Sequence, residues 1–128
     1  MLDTNICIYV INERDHGVLE RFEEHAARIC ISSITYAELC YGVVNSAHIE
    51  RNTRELDAFR LDLEIQPFGA EAGMHYAEIR RALRQRGTPI GANDLLLAAH
   101  ARSLGATLVT NNRNEFDRVP ELNVANWV

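Results

Sequence analysis

The chain has 128 residues, of which 47% are hydrophobic and 24% charged, values that fit one domain with its own core and exclude a disordered segment or two full domains. A formal net charge of −5 excludes nucleic-acid binding by bulk attraction alone. All thirteen cations are Arg and Lys is absent, which removes P-loop nucleotide binding, Schiff-base chemistry and phospho-aspartyl mechanisms that need a Lys beside the carboxylate.

Met1 to Asn12 reads MLDTNICIYVIN, with Asp3 as its only charge. We expect a very short strand ending near Asp3, followed by a buried helical turn capped by Thr4 or Asn5. Two residues ahead of the acid are few for a central strand, so the natural start can lie upstream of Met1. No run is long and apolar enough to cross a bilayer, and the basic, apolar and small-residue succession of a signal peptide is missing. The expected compartment is the cytoplasm. Cys7, Cys30 and Cys40 lack C-x-x-C spacing and sit among Ile, Leu or Tyr, which reads as reduced core thiols.

Residues 18–25 form an amphipathic pattern with Val18, Leu19 and Phe22 inward, the mark of a surface helix. Residues 29–32 are a compact apolar strand, after which Ser33 or Thr35 can cap a helix. From Ile29 to Ala47 the single charge is Glu38, within ITYAELCYGVV. Tyr41, Val43 and Val44 of that segment read as core rather than as an exposed association surface. Residues 48–63, with Leu56, Phe59 and Leu63 at helical spacing, read as a long exposed helix. Residues 64–68 follow as a strand ended by Pro67 and Gly69. The helix expected over 70–86 places Ala72, Tyr76, Ile79 and Leu83 on one stripe. Arg80, Arg81 and Arg84 fall off it, either as a solvated face paired with Glu71 and Glu78 or as contacts for RNA phosphates.

The stretch from Gly87 to Asn112, GTPIGANDLLLAAHARSLGATLVTNN, runs as loop, buried helix, turn at Gly105 and buried strand over 106–110. From Gly87 to Ala101 its only formal charge is Asp94. After Asn112 come Arg113, Glu115 and Asp117, then a last short segment to Trp127. Strands with continuous rather than alternating apolar residues, each followed by a helix, predict an α/β/α sandwich around a small, mainly parallel sheet. One domain over residues 1–128 is the expectation.

Asp3, Glu38 and Asp94 are each the sole charge in an otherwise neutral, buried-looking stretch, which a solvated surface rarely produces. In a parallel sheet, functional groups gather at the C-terminal strand ends. Carboxylates gathered there repel, and without a cation at least one takes up a proton. Mg²⁺ or Mn²⁺ resolves the conflict with oxygen ligands and retained water. Zinc fits less well, because the five His show no ligand spacing, and His100 reads as a core or surface residue. An acidic metal pocket without Lys points to phosphodiester hydrolysis.

The segments LDTN, ITYAELCYG, PIGANDLLLAAHA and LVTNNRNEF, in that order, resemble the successive motifs of the PIN-domain family, and within it the VapC-type toxins of bacterial toxin–antitoxin pairs. The resemblance spans nearly the whole chain. It implies a Mg²⁺- or Mn²⁺-dependent endoribonuclease, a homodimer, and a small VapB-type antitoxin whose tail occupies the acidic groove in a larger complex. Asp3, Glu38 and Asp94 match the family's metal acids, and Thr110 matches its hydroxyl residue at the later strand end. The family often has Asp where Asn112 stands here, so the fourth metal position falls to Asn112 or to Glu115, with Glu115 favoured over Asp117. Asn5 resembles the polar residue beside the first acid. Enteric relatives imply cleavage of initiator tRNA in the anticodon region, with Arg80, Arg81, Arg84 and Arg113 as phosphate contacts. The competing readings are an inactive PIN-like module that only binds RNA or a partner, and a DNA-directed nuclease of the flap-cutting type, against which the short length argues.

Overall fold

The sheet is assembled around the first three residues. In the computed structural model, which describes residues 1–128, Leu2 donates its N–H to the Cys30 carbonyl at 3.1 Å, and Asp3 donates to the Val109 carbonyl at 3.0 Å. Val109 in turn donates to the Met1 carbonyl at 2.8 Å. This terminal segment therefore joins two parallel ladders. On one side β1 (Cys30–Ser32) pairs with β2 (Glu64–Gln66), Ile31 opposite Ile65. On the other β3 (Leu108–Val109) pairs with β4 (Val124–Ala125). The spatial order is β2, β1, the terminal segment, β3, β4. The terminal ammonium donates to the Thr107 carbonyl at 2.8 Å, and its burial pushes its pKa down.

Alternation along these short strands divides the core. Leu2, Ile31 and Val109 pack into one layer with α1 (Thr4–Ile11), α2 (His16–Glu24), α3 (Ser33–Val44) and α4 (Ile49–Arg60). Met1 and Leu108 pack into the other with α5 (Ala70–Gln85), α6 (Ala92–Ser103) and α7 (Arg113–Phe116). The result is the α/β/α sandwich expected from the strand–helix alternation. Four Ala or Leu side chains of α6 are at most 3% exposed, namely Leu97, Ala98, Ala99 and Ala101, which is why that helix has no polar face in the sequence. His100 lies among them as a core residue: its Nδ1 is 2.8 Å from Ser32 Oγ and its ring meets Phe68 edge-on. Gly105, at φ 64°, supplies the left-handed turn that returns the chain from α6 to β3.

Several local expectations give way to tertiary contacts. Asp3 caps α1, its Oδ1 accepting the Ile6 N–H at 3.0 Å, whereas Thr4 lies inside the helix with its hydroxyl turned to Glu38, and Asn5 is exposed. Ser32, not Ser33 or Thr35, caps α3 by accepting the Ile34 N–H at 3.0 Å. Ser33 instead accepts the Phe68 N–H at 3.1 Å, and Thr35 is fully buried with its hydroxyl unpartnered. Tyr41 and Val44 are 67% and 64% exposed, so they are surface rather than core; Val43 alone packs against the interior. The three cysteines are unpaired thiols. No helix is long and apolar enough to cross a membrane.

Candidate active site

Four acidic side chains are brought together where the strands end. Asp3 follows the Leu2 bridge at the centre of the sheet, Glu38 projects from the second turn of α3, Asp94 from the first turn of α6, and Glu115 from α7 after β3. Each arrives by a different strand-to-helix connection, which is how a parallel sheet gathers distant residues at one edge.

Asp3 is 6% exposed and is held at both oxygens. Oδ1 accepts the Ile6 N–H, while Oδ2 accepts a short hydrogen bond from the Thr110 hydroxyl. Thr110 is itself fixed, because its oxygen accepts the Asn112 N–H at 2.9 Å. Burial pushes the Asp3 pKa up against these stabilising bonds, and the Glu38 charge pushes the same way. Glu38 is half-buried and accepts the Thr4 hydroxyl at 2.9 Å.

Asp94 is the most perturbed of the four. Desolvation raises its pKa first, then a hydrogen bond to Glu115 and the negative charges of Glu115, Asp3 and Glu38, together to about 7. Glu115 moves the other way, lowered chiefly by that same bond to Asp94, with help from Asn112, the Gly91 N–H and the Arg118 charge. The two carboxyl groups are thus coupled, and their mutual repulsion favours protonation on the Asp94 side of the pair. Asn112 Nδ2 donates to Glu115 Oε2 at 3.3 Å, so Asn112 orients the glutamate that stands beside Asp94.

All the donors in this pocket are oxygens, and no Arg ion pair closes it: the two ion pairs of the molecule are Arg102–Glu78 and Arg113–Asp117. As placed, no three Asp, Glu, His or Cys side chains stand close enough together to hold one ion between them. Such an open, oxygen-only, over-acidic pocket fits a hard divalent cation that keeps part of its water shell and touches only some of the carboxylates directly.

The other sequence candidates lie apart from the acids. Arg113 binds Asp117 through two 3.2 Å contacts at (i, i+4) spacing, so Asp117 is occupied. Arg80, Arg81 and Arg84 are exposed on α5. They do not pair with Glu71 and Glu78 as a solvated face would, because Glu78 is engaged by Arg102 at 2.6 Å, and Arg102 also reaches His75 and the Pro120 carbonyl. Asn5 neither caps α1 nor makes a side-chain hydrogen bond to an acid. Two contributors escaped the sequence reading. Thr4 was visible only as a cap, since its partner is 34 residues away; Arg118, which lowers Glu115, carried no local signal.

Comparison with known proteins places this geometry among related chains. The sequence model of the PIN domain matches residues 1–122. The tRNA(fMet)-specific endonuclease VapC of Salmonella typhimurium is 42% identical over 127 residues, covering 99% of this chain and 96% of that protein. Ribonuclease VapC2 of Rickettsia felis is 49% identical over 129 residues, with 99% and 96% covered. The crystal structure of VapBC2 from Rickettsia felis, bound to a DNA fragment from their promoter, superposes with a TM-score of 0.95 at 48% identity, covering 100% of this chain and 98% of that one.

Proposed function

The chain belongs to the PIN-domain family, and from that premise we propose that it is the endoribonuclease toxin of a VapC-type toxin–antitoxin pair, acting on RNA in a divalent-metal-dependent reaction. The observation that carries the chemistry is the gathering of Asp3, Glu38, Asp94 and Glu115 at the strand ends without an Arg ion pair, a crowding that also raises the Asp94 pKa. A site that leaves its carboxylates in mutual repulsion when cation-free is built to receive positive charge.

Asp3, Glu38 and Asp94 would hold Mg²⁺ or Mn²⁺, with Glu115 in the fourth position and Asn112 behind it. When bound, the cation lowers the pKa of a coordinated water and offsets negative charge on the leaving oxygen. The remaining work belongs to the protein. Thr110 and the Ile6 N–H fix both oxygens of Asp3, so its orientation is set before substrate arrives. Thr4 does the same for Glu38. As the attacking water's oxygen bonds to phosphorus and the phosphorus–oxygen bond to the leaving ribose breaks, the water's proton would pass to a carboxylate oxygen of the Asp94–Glu115 pair left free by the cation. One domain, residues 1–128, supplies all of these groups.

For the substrate we propose tRNA, and initiator tRNA first, on the strength of the specificity in the Salmonella relative's name. The partner is a small VapB-type antitoxin, in keeping with the VapBC complex that this chain resembles. A cleft of about 220 Å³ between α1, α3 and α4, lined by Ile8, Ile11, Val43 and Leu56 with Glu38 at its edge, offers it an apolar seat that opens onto the acids. Exposed Tyr41 and Val44 on α3 suit a homodimer contact. The compartment we propose is the cytoplasm, where tRNA is.

The test is incubation of the purified chain with total tRNA and with DNA flaps, in Mg²⁺, in Mn²⁺ and in chelator, followed by mapping of RNA ends. The expected result is one or a few cuts in initiator tRNA that require the divalent ion and are lost in Asp94→Asn. Intact tRNA in every condition, with the fold preserved, would leave a binding module instead.

A further inference from the structure

A cluster of exposed arginines on α5, Arg80, Arg81 and Arg84, lies at a groove that the acidic site does not use. Tyr76, Arg80 and Arg84 of α5 face Pro89, Ile90 and Leu95 across a cavity of about 610 Å³. Arg80 lies over the Tyr76 ring, 5.9 Å from its centroid, and its Nη1 donates to the tyrosine hydroxyl at 3.1 Å. Neither Arg80, Arg81 nor Arg84 has a carboxylate partner, since both ion pairs of the molecule lie elsewhere and the glutamate at 78 is taken by Arg102. Two guanidinium groups without carboxylate partners, those of Arg80 and Arg84, an aromatic ring and an apolar far wall thus share one concavity, with Arg81 beside it on the same helix.

The far wall ties the groove to the acids. Leu95 and Ala92 line it, while Asp94, between them in sequence, turns towards Glu115. Successive residues of a helix point about 100° apart, so the first turn of α6 separates groove and acids by about its own diameter, roughly 10–12 Å. That displacement suits a nucleotide flanking the cut rather than the one being cut.

Taking the RNA-cleaving reading above as its basis, we propose that this groove seats an unpaired nucleotide of the substrate strand, its base against Tyr76 and the Pro89–Ile90 wall, and its phosphates on Arg80 and Arg84. The chemistry favours this occupant. Guanidinium forks match phosphate oxygens, an aromatic ring with an apolar wall accepts any base face, and a stacked duplex would offer such a groove only its backbone. Tyr76 and Ile90 would then act on where the strand is cut, through placement of its neighbour, without touching the reacting phosphate.

The experiment uses a labelled anticodon stem-loop of initiator tRNA. Binding is read by anisotropy to the full chain carrying Asp94→Asn, in Mg²⁺, so that the probe stays intact, and cleavage kinetics are read with Asp94 present. Tyr76→Ala should weaken binding about five- to a hundredfold, while Tyr76→Phe retains it and shows that the loss is not misfolding. Arg80→Ala and Arg84→Ala should each reduce the slope of log affinity against log salt by about one. In cleavage these losses should enter KM and leave kcat. An abasic site at the flanking position should cost wild type as much as Tyr76→Ala does, and cost the Tyr76→Ala protein nothing further. If wild type cuts the RNA and these variants bind and cut equally well, the groove is not an RNA subsite and the nuclease reading survives. Losses of affinity in a protein that cuts no RNA would do the reverse, keeping the groove and removing the nuclease. Variants that weaken only the complex with an antitoxin assign the groove to a protein and overturn the proposal.

Discussion

Replacing Asp94 by Asn should abolish cleavage and at the same time stabilise the metal-free protein. An unfolded Asp releases its proton near 3.8, but in the folded chain Asp94 keeps it to about 7. Between those values the folded state binds the more protons, so stability falls as pH rises through that window; the penalty is absent below 3.8 and complete above 7. Water reaches this half-buried side chain and screens the repulsion, which leaves about 1–2 kcal/mol above pH 7. Asn removes the charge, and its amide can donate to Glu115 in place of the protonated carboxyl. In chelator at pH 8, Asp94→Asn should therefore melt about 2–8 °C above wild type, and the two should converge as the pH drops to 4. Saturating Mg²⁺ should reverse the order, since a ligand of the folded state stabilises wild type in proportion to its affinity and the variant less. Thermal unfolding followed by circular dichroism, paired with tRNA cleavage, reads both halves. Wild-type cutting by the variant, or a wild type whose stability difference from the variant does not change with pH, would refute the reasoning.

Three further outcomes follow from the same geometry. Glu115→Gln removes the second and third causes of the Asp94 shift while leaving desolvation, so the acid limb of the pH–rate profile should move to lower pH while a higher Mg²⁺ concentration is needed; an unmoved limb would separate Glu115 from Asp94. Thr110→Val deletes the donor to Asp3 and the acceptor for the Asn112 N–H, and should cost about 1–3 kcal/mol of stability and most of the activity, with Thr110→Ser restoring both in melting and cleavage assays. Thr35→Val exchanges a buried hydroxyl without a partner for a methyl group of the same shape and should raise the unfolding free energy read from urea titration by up to about 1–2 kcal/mol, with cleavage unchanged.

The acids were legible in the sequence for a physical reason. A charge with no charged neighbour in a stretch of core residues has no local way to be neutralised, so Asp3, Glu38 and Asp94 stood out against segments such as residues 48–63, where charge is periodic and solvated. Parallel strands were legible from apolar runs of β1 and β3, and α6 from its uninterrupted Leu and Ala. Caps were not, because Ser, Thr and Asp at positions 32–35 and 3–4 compete for the same backbone N–H groups, and the choice is made by distant partners. Ser33 is drawn off by Phe68, and Thr4 by Glu38. The exposure of Tyr41 and Val44 was hidden for a related reason: periodicity gives the face of a helix, and only packing says whether a neighbour covers it.

On the proposed reading, the separation of the acids from the arginines would let a protein of net charge −5 take a polyanion. Four carboxylates in one pocket repel phosphate, and Arg80, Arg81 and Arg84 placed among them would form buried ion pairs and cancel the pocket's demand for a cation. Set on the far side of the first turn of α6, the arginines stay free for phosphate and the acids stay unpaired. Gly91, Ala92 and Leu95 form the partition: Gly91 faces the acids, an added Cβ there lying 3.5 Å from Asp94 Oδ2, and Ala92 and Leu95 present only apolar surface to the groove. The proposed function would then divide the work between different parts of the molecule, attraction of the strand falling to fixed guanidinium charge and neutralisation of the scissile phosphate to an exchangeable divalent ion.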